Sequence, residues 1–397
     1  MTRLTRHEGR KTGPATPNAA QTIDISPRKP YNQVKIQSVC QGVTMKRIYS
    51  FDVLKVAFAY LIAIFHFGTE LPPGPGITVE LFFIISGFFL GKKFYDKYQA
   101  DPNNDYDQIR YTKDHIKSLY PHYVFSLIVL TVYTFIAGVI TFVKEPSAYQ
   151  IVMIVKNVYA TIPEYFFLQN TGFFDGGTNY PLWQLCTLLI SGYFIYGILH
   201  KNEKLAREFI LPAAILMIQA YLDVCEDGWG TVLFFHAPIL RAFSPVCMGV
   251  LAYYFTTTSY YQYIRSKKLL FNLASIFAFL SIYAPQGYHN IYLITFVFLM
   301  LAMYDPESWI NKLLNRKIFK SFGQLSYAIF LNHAMVIDLL KDQIFPLLFG
   351  ASEALSAVLL KHAIFLVVLT AYSYFTIFIV NKLVQRFAQK RLAAVQK

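Results

Sequence analysis

Three ionisable side chains stand in the first membrane-length apolar stretch of the chain. The segment runs Phe51-Asp52-Val53-Leu54-Lys55, continues through AFAYLIAIF and reaches His66. Charges inside a bilayer are costly and mark functional sites. Lys55 and His66 are eleven residues apart. At about 100° per residue they fall within roughly 20° of one helix face, about 16 Å apart along the axis. Asp52 lies one turn before Lys55 on that face. The stripe is therefore polar at its start and carries an imidazole three turns deeper. Two readings fit it. In the first, Asp52 and Lys55 pair at the membrane edge and His66 is an interhelical hydrogen-bond donor. In the second, His66 is a catalytic or transport histidine in a polar cavity.

The surrounding elements are membrane helices. With 55% hydrophobic and 17% aromatic residues over 397 positions, the composition is not that of an ordinary soluble protein. Apolar runs approach or reach the roughly 17–25 residues needed to span a bilayer. Ten candidates lie near 51–69, 77–92, 119–143, 181–200, 208–222, 231–255, 269–284, 289–304, 325–345 and 360–381. The expected fold class is all-α and polytopic. Lys and Arg alternate between the loops. With the N-terminus placed inside, the inside segments hold 30 of the 36, and the outside segments hold only Lys144, Lys156, Lys341 and Lys361. That is the positive-inside pattern. It supports ten spans with both termini cytoplasmic, in the cytoplasmic membrane. The net charge of +13 follows from basic loops facing an anionic leaflet and calls for no nucleic acid. Cys40, Cys186, Cys225 and Cys247 show no CxxC spacing, so neither a disulfide framework nor a zinc site is indicated.

Residues 1–44 are polar, basic and proline-bearing, a composition that buries too little surface to fold. Met45 precedes Lys46-Arg47 and the first span, and we expect it to be the natural start or the tail to be dispensable. Residues 45–397 read as one helical membrane domain without internal repeats. The external 144–180 segment interleaves Tyr159, Tyr165, Phe166, Phe167, Phe173, Phe174 and Tyr180 with Asn, Asp and Gly. Its aromatics suit an interfacial belt. They also suit a platform for a sugar ring, with Asp175 and Asn179 as hydrogen-bond partners.

The second span reads Thr78-Val79-Glu80-Leu81-Phe82-Phe83-Ile84-Ile85-Ser86-Gly87. Glu80 is an acid at its outer end, and Ser86-Gly87 is a small pair that admits another backbone. Together with Asp52, Lys55 and His66, this resembles the membrane acyltransferase-3 family. Those enzymes have about ten helices and move acyl groups, usually acetyl, onto carbohydrate. Tyr120-Pro121 resembles the family's Arg-x-x-Arg-Leu-Tyr-Pro element, Pro181-Leu182-Trp183 its Leu-Trp entry to the fourth span, and Ser326-Tyr327 through Asn332-His333 its late Ser-Tyr…Leu…His segment. The resemblance runs in order over most of 46–381. Two departures from the family pattern cover three positions. His115 and Ser118 stand where the family has arginines, and Leu188 stands where many members have glutamate. Arginine is a rigid fork for phosphate that lysine does not copy.

The resemblance implies His66 as the base for an attacking hydroxyl, a task that suits neutral imidazole. It pairs His66 with Glu80, which would hold the tautomer and stabilise the imidazolium; Glu70 is the alternative carboxylate. Acyl-CoA, acetyl-CoA in the usual case, is then a co-substrate rather than a bound cofactor. Its phosphates would meet Lys92, Lys93, Lys113, Lys117 and His115 at the cytoplasmic face, with Lys55 just inside. Trp183, Asp175, Asn179 and His333 would line the carbohydrate side. A transporter or flippase would use the same stripe as a proton or substrate path, but the paired, broken-helix halves of common transporters are not seen. A non-catalytic member serving a polysaccharide assembly is the third reading. Dependence on acyl-CoA separates the first reading from the other two.

Overall fold

The computed structural model describes residues 47–395 except 69–76, 102–103, 173, 175, 225–230, 233–234, 281–288 and 351–353. Glu70, Asp175, Cys40, Cys225, Met45 and the 1–44 tail therefore lie outside the described residues. The rest is almost entirely helical. In chain order the helices are α1 (Tyr49–His66), α2 (Ile77–Ala100), α3 (Gln108–Lys144), α4 (Ala148–Tyr165) and α5 (Trp183–Lys201). Then come α6 (Leu211–Val224), α7 (Ala237–Thr256), α8 (Ser259–Ser266), α9 (Lys268–Leu280) and α10 (His289–Tyr304). The last are α11 (Trp309–Leu314), α12 (Phe322–Asp338), α13 (Phe345–Phe349) and α14 (Leu355–Val395).

Six stretches are long and apolar enough to cross a membrane: Tyr49–His66, Gln108–Lys144, Tyr180–Lys201, Glu203–Leu222, Ala237–Thr256 and Leu355–Lys390. They coincide with six of the ten predicted spans. The other four predictions also fold as helices. Helix α2 has the length but carries Glu80 and the lysines of its last turns, α12 runs on through a π-helical stretch (Leu339–Ile344) into α13, and α9 and α10 adjoin residues outside the described set. The expected 231–255 span begins later than its hydropathy suggests. Thr231–Val232 (β1) pairs antiparallel with Phe235–His236 (β2), and α7 starts at Ala237 with proline in its first turn. Proline is pre-organised there and needs no amide partner.

Polar caps set several boundaries. The Asp107 carboxylate accepts the Arg110 amide at the start of α3, and the Ser147 hydroxyl accepts the Gln150 amide at the start of α4. Such caps satisfy amides that have no intrahelical partner. Outward faces of α3 and α14 are apolar and exposed, with Val132, Phe135, Ile136, Val143, Val367, Phe375 and Phe378 on the surface. A helix that is apolar on both faces belongs in lipid.

Helices α2 and α7 touch backbone to backbone. A Cβ on Gly87 would stand 2.1 Å from the Val246 carbonyl oxygen, and one on Gly249 would stand 2.1 Å from that of Ile84. Small residues drive association where lipid offers no hydrophobic contrast, and the Ser86-Gly87 pair does this here. Phe51, Phe58, Ile84, Phe88, Val246 and Phe296 fill the core around that crossing. A second cluster joins α1, α12 and α14 through Val56, Ala59, Ile329, Val336 and Phe365. A third places Tyr123, Leu127, Phe167, Leu182, Cys186 and Leu331 around the segment between α4 and α5.

Candidate active site

Helix α1 ends at His66, where Gly68 adopts a positive φ of 88° and turns the chain away. The imidazole is half-buried. It stacks on His333 of α12, with ring centroids 5.4 Å apart and planes 19° from parallel. The Tyr180 ring stands edge-on to it at 5.0 Å, and Tyr180 also borders His333 at 6.3 Å. Two histidines 267 positions apart in sequence and a tyrosine from a third element thus form one cluster. His333 is fully buried. Its Nδ1 lies 3.2 Å from the Ile329 carbonyl oxygen. A carbonyl only accepts, so Nδ1 carries the proton and Nε2 presents a lone pair. That Nε2 is buried with no partner among the described residues.

The segment between α4 and α5 positions Tyr180. It folds back into the bundle instead of lying over it. The Tyr123 hydroxyl donates to the Glu164 carbonyl oxygen at 2.6 Å, and its ring packs against Phe167 at 4.3 Å. The Asn179 side chain donates to the Leu331 carbonyl oxygen on α12 at 3.1 Å. Tyr180–Leu182 forms a short 3-10 turn into α5, with Pro181 at its start. Asn179, expected on an exposed sugar platform, is fully buried and tethers this segment to the helix that carries His333.

Glu80 is engaged elsewhere. Its Oε1 accepts from Arg241 of α7 through both NH2, at 2.8 Å, and Nε, at 3.2 Å. Among the described residues no carboxylate hydrogen-bonds His66. The Arg241 guanidinium sits over the Trp183 ring at 5.3 Å, and Trp183 packs edge-on to Phe83 at 6.1 Å. Glu80, Arg241 and Trp183 therefore form a second buried unit. An arginine inside an apolar run is expected to pair with an acid or line a cavity, and Arg241 does the first, with Glu80 of another helix.

The expected basic cluster divides. A cavity of about 250 Å³ is lined by Phe89, Lys93, Tyr111, Asp114, His115 and Ser118 among others. Lys93 lies 3.7 Å from the Asp114 carboxylate and faces the Tyr106 and Tyr111 rings. Lys55 of α1 sits over the ring of Phe89, which lines this cavity, at 5.2 Å. Lys92 is held by Asp96, while Lys113 and Lys117 are exposed on α3. Asp52 bonds Arg47 at 2.7 Å, not Lys55 as in the first of the two sequence readings. Among the described residues, no three His, Cys, Asp or Glu side chains gather as metal ligands.

The arrangement has a cavity lined by Lys93 and His115, with Lys55 of α1 over the Phe89 ring of its wall, and an imidazole pair at the other end of α1. Residues 48–382 match the family model described as an acyltransferase domain, that of the acyltransferase-3 family. No curated protein and no solved structure matches the chain.

Proposed function

Because the chain belongs to the acyltransferase-3 family, we propose that it is a membrane O-acyltransferase using acyl-CoA, with acetyl as the group moved. The acceptor in this reading is a hydroxyl of a surface or exported polysaccharide, or of its lipid-linked precursor. The observation that carries it is the His66–His333–Tyr180 cluster at the far end of the helix that bears Lys55.

The chemistry needs few parts. A thioester carbonyl is held near His66 and an acceptor hydroxyl approaches it. The hydroxyl oxygen attacks the carbonyl carbon as its proton passes to an imidazole nitrogen. A tetrahedral intermediate forms, the C–S bond breaks, and the departing thiolate takes the proton back as a thiol. His66 is the base, being the half-buried and accessible member of the pair. His333 has its proton fixed on Nδ1 by Ile329, so its free Nε2 can accept from the acceptor sugar or from His66. Glu80 serves this site as the counter-ion of Arg241. The donor's phosphates would lie at the cavity of Lys93 and His115, within reach of Lys113 and Lys117, and the roughly 16 Å of α1 between Lys55 and His66 matches an extended pantetheine arm.

The topology belongs to the same reading: ten crossings, both termini in the cytoplasm, in the cytoplasmic membrane. The test is transfer of labelled acetyl from acetyl-CoA into the glycan fraction of membranes. Wild type should label it, and His66→Ala at equal membrane level should not. Absence of label with every acyl-CoA and host glycan would end the acyltransferase reading.

A further inference from the structure

Beside the imidazole cluster lies a buried polar group with no part in acyl transfer. Glu164 ends α4, and Gln169 and Asn179 follow in the segment that carries Tyr180. All three are fully buried. They gather around one turn. The Glu164 Oε1 accepts the Asn179 amide at 2.9 Å, and the carboxylate also receives the Thr178 amide. The Gln169 Nε2 donates to the Asn179 carbonyl oxygen at 3.1 Å. Gly177 makes room between them: a Cβ there would stand 2.3 Å from both Glu164 Oε1 and Gln169 Nε2.

Three oxygens remain without partners among the described residues: Glu164 Oε2, Gln169 Oε1 and Asn179 Oδ1. Turning the amides over does not cure this. The nitrogen of Gln169 faces a carbonyl oxygen of Asn179, and that of Asn179 faces the Leu331 carbonyl oxygen. A flip would set oxygen against oxygen at each. The orientations are fixed by acceptors, so the side-chain oxygens must be the orphans. Leaving a buried polar atom unpaired is costly, and leaving a buried charge unpaired costs more. A proton on Glu164 supplies a single donor for three orphan oxygens. A cation takes several oxygen ligands at once and can answer more than one of them. One carboxylate balances one positive charge, and carboxylate with carbonyl oxygens is a hard-ligand set.

We propose that Glu164, Gln169 and Asn179 bind a small monovalent cation of the sodium class, which closes the 164–179 segment onto α12. Residue Tyr180 follows directly, so the bound cation holds its ring against His66 and His333. The reading does not depend on acyl transfer, since its readout is stability.

The test uses the full chain in detergent or nanodiscs, with sodium chloride exchanged for N-methylglucamine chloride at constant ionic strength. The wild-type melting midpoint should rise by a few degrees, saturably, with sodium. Glu164→Gln should fold, because its amide supplies an N–H where the cation would sit, and its midpoint should not respond to sodium. Retention of radioactive sodium by wild type and not by Glu164→Gln gives a second, direct readout. A wild-type midpoint identical in the two salts would overturn the proposal, as would a sodium response kept by the variant or a response to calcium alone. Burial pushes the Glu164 carboxyl, outside the six long apolar spans, up to about 7. If a proton fills the site instead, stability falls as pH rises through that value and sodium does nothing. That outcome also refutes the cation.

Discussion

Removing Arg241 should unfold the protein, and removing Glu80 with it should restore the fold. Glu80 is 2% exposed and both of its bonds come from Arg241, through one oxygen. Arg241→Met keeps the length over Trp183 but leaves a buried carboxylate with no partner among the described residues. Breaking a buried pair in this way costs about 3–5 kcal/mol. At about 1.4 kcal/mol per tenfold, that is roughly two to nearly four orders of magnitude in the folded-to-unfolded ratio. In Glu80→Gln/Arg241→Met no charge is buried, and most of the loss should return, because a buried pair replaced by well-packed neutral groups is often neutral. The assay is a double-mutant cycle on melting and urea unfolding in one detergent, with acetyl transfer measured on the refolded double variant. Two mild, additive single effects would refute the buried-pair argument. A stable double variant that transfers no acetyl would place Glu80 or Arg241 in the chemistry itself, against the counter-ion role given to Glu80 here.

His333→Phe keeps the stack on His66 but removes the lone pair. Acetyl transfer should fall about 10²-fold or more, the low end of what a positioned acid–base group contributes, with the melting midpoint little changed; unaltered turnover would make His333 a packing residue. Arginine restored at both His115 and Ser118 should lower the KM for acetyl-CoA several-fold with kcat nearly constant, since a fork binds phosphate where imidazole and hydroxyl do not; a kcat effect alone would move the donor site elsewhere. Gly87→Val should abolish folded protein in membranes, because its Cβ meets the Val246 carbonyl at 2.1 Å and neither helix backbone can yield without separating; expression and melting like wild type would show that the α2–α7 crossing is looser than described.

Much of the architecture was legible in the linear chain because lipid imposes strong local rules. Membrane length, apolar composition and the alternation of Lys and Arg act on each segment separately. Ten predicted segments accordingly fall on helices, and the Ser86-Gly87 pair sits at a backbone crossing as its size requires. Six of the ten meet the length and apolarity of a full crossing. His66 was marked by cost alone, since an imidazole in such a run needs a reason.

Partners were not legible, because a side chain's partner depends on which helices meet and at what height. Spacing placed Asp52 beside Lys55, yet Arg47 takes Asp52 and leaves Lys55 over Phe89. Glu80 was expected to face His66, yet the α2–α7 crossing brings Arg241 to it. Nothing along the chain joins His333 to His66, or Tyr180 to both; the packing of α1 on α12 does the first, and the Asn179–Leu331 bond beside Tyr180 does the second. Asn179 suited an exposed sugar contact by type, but its amide is spent on Leu331. Sequence by itself determined that this is a helical membrane protein with a costly histidine, because burial in lipid is a property of each residue. Tertiary structure alone decided which groups share that histidine's surroundings, because hydrogen bonds and ion pairs reach only about 3 Å and join residues hundreds of positions apart.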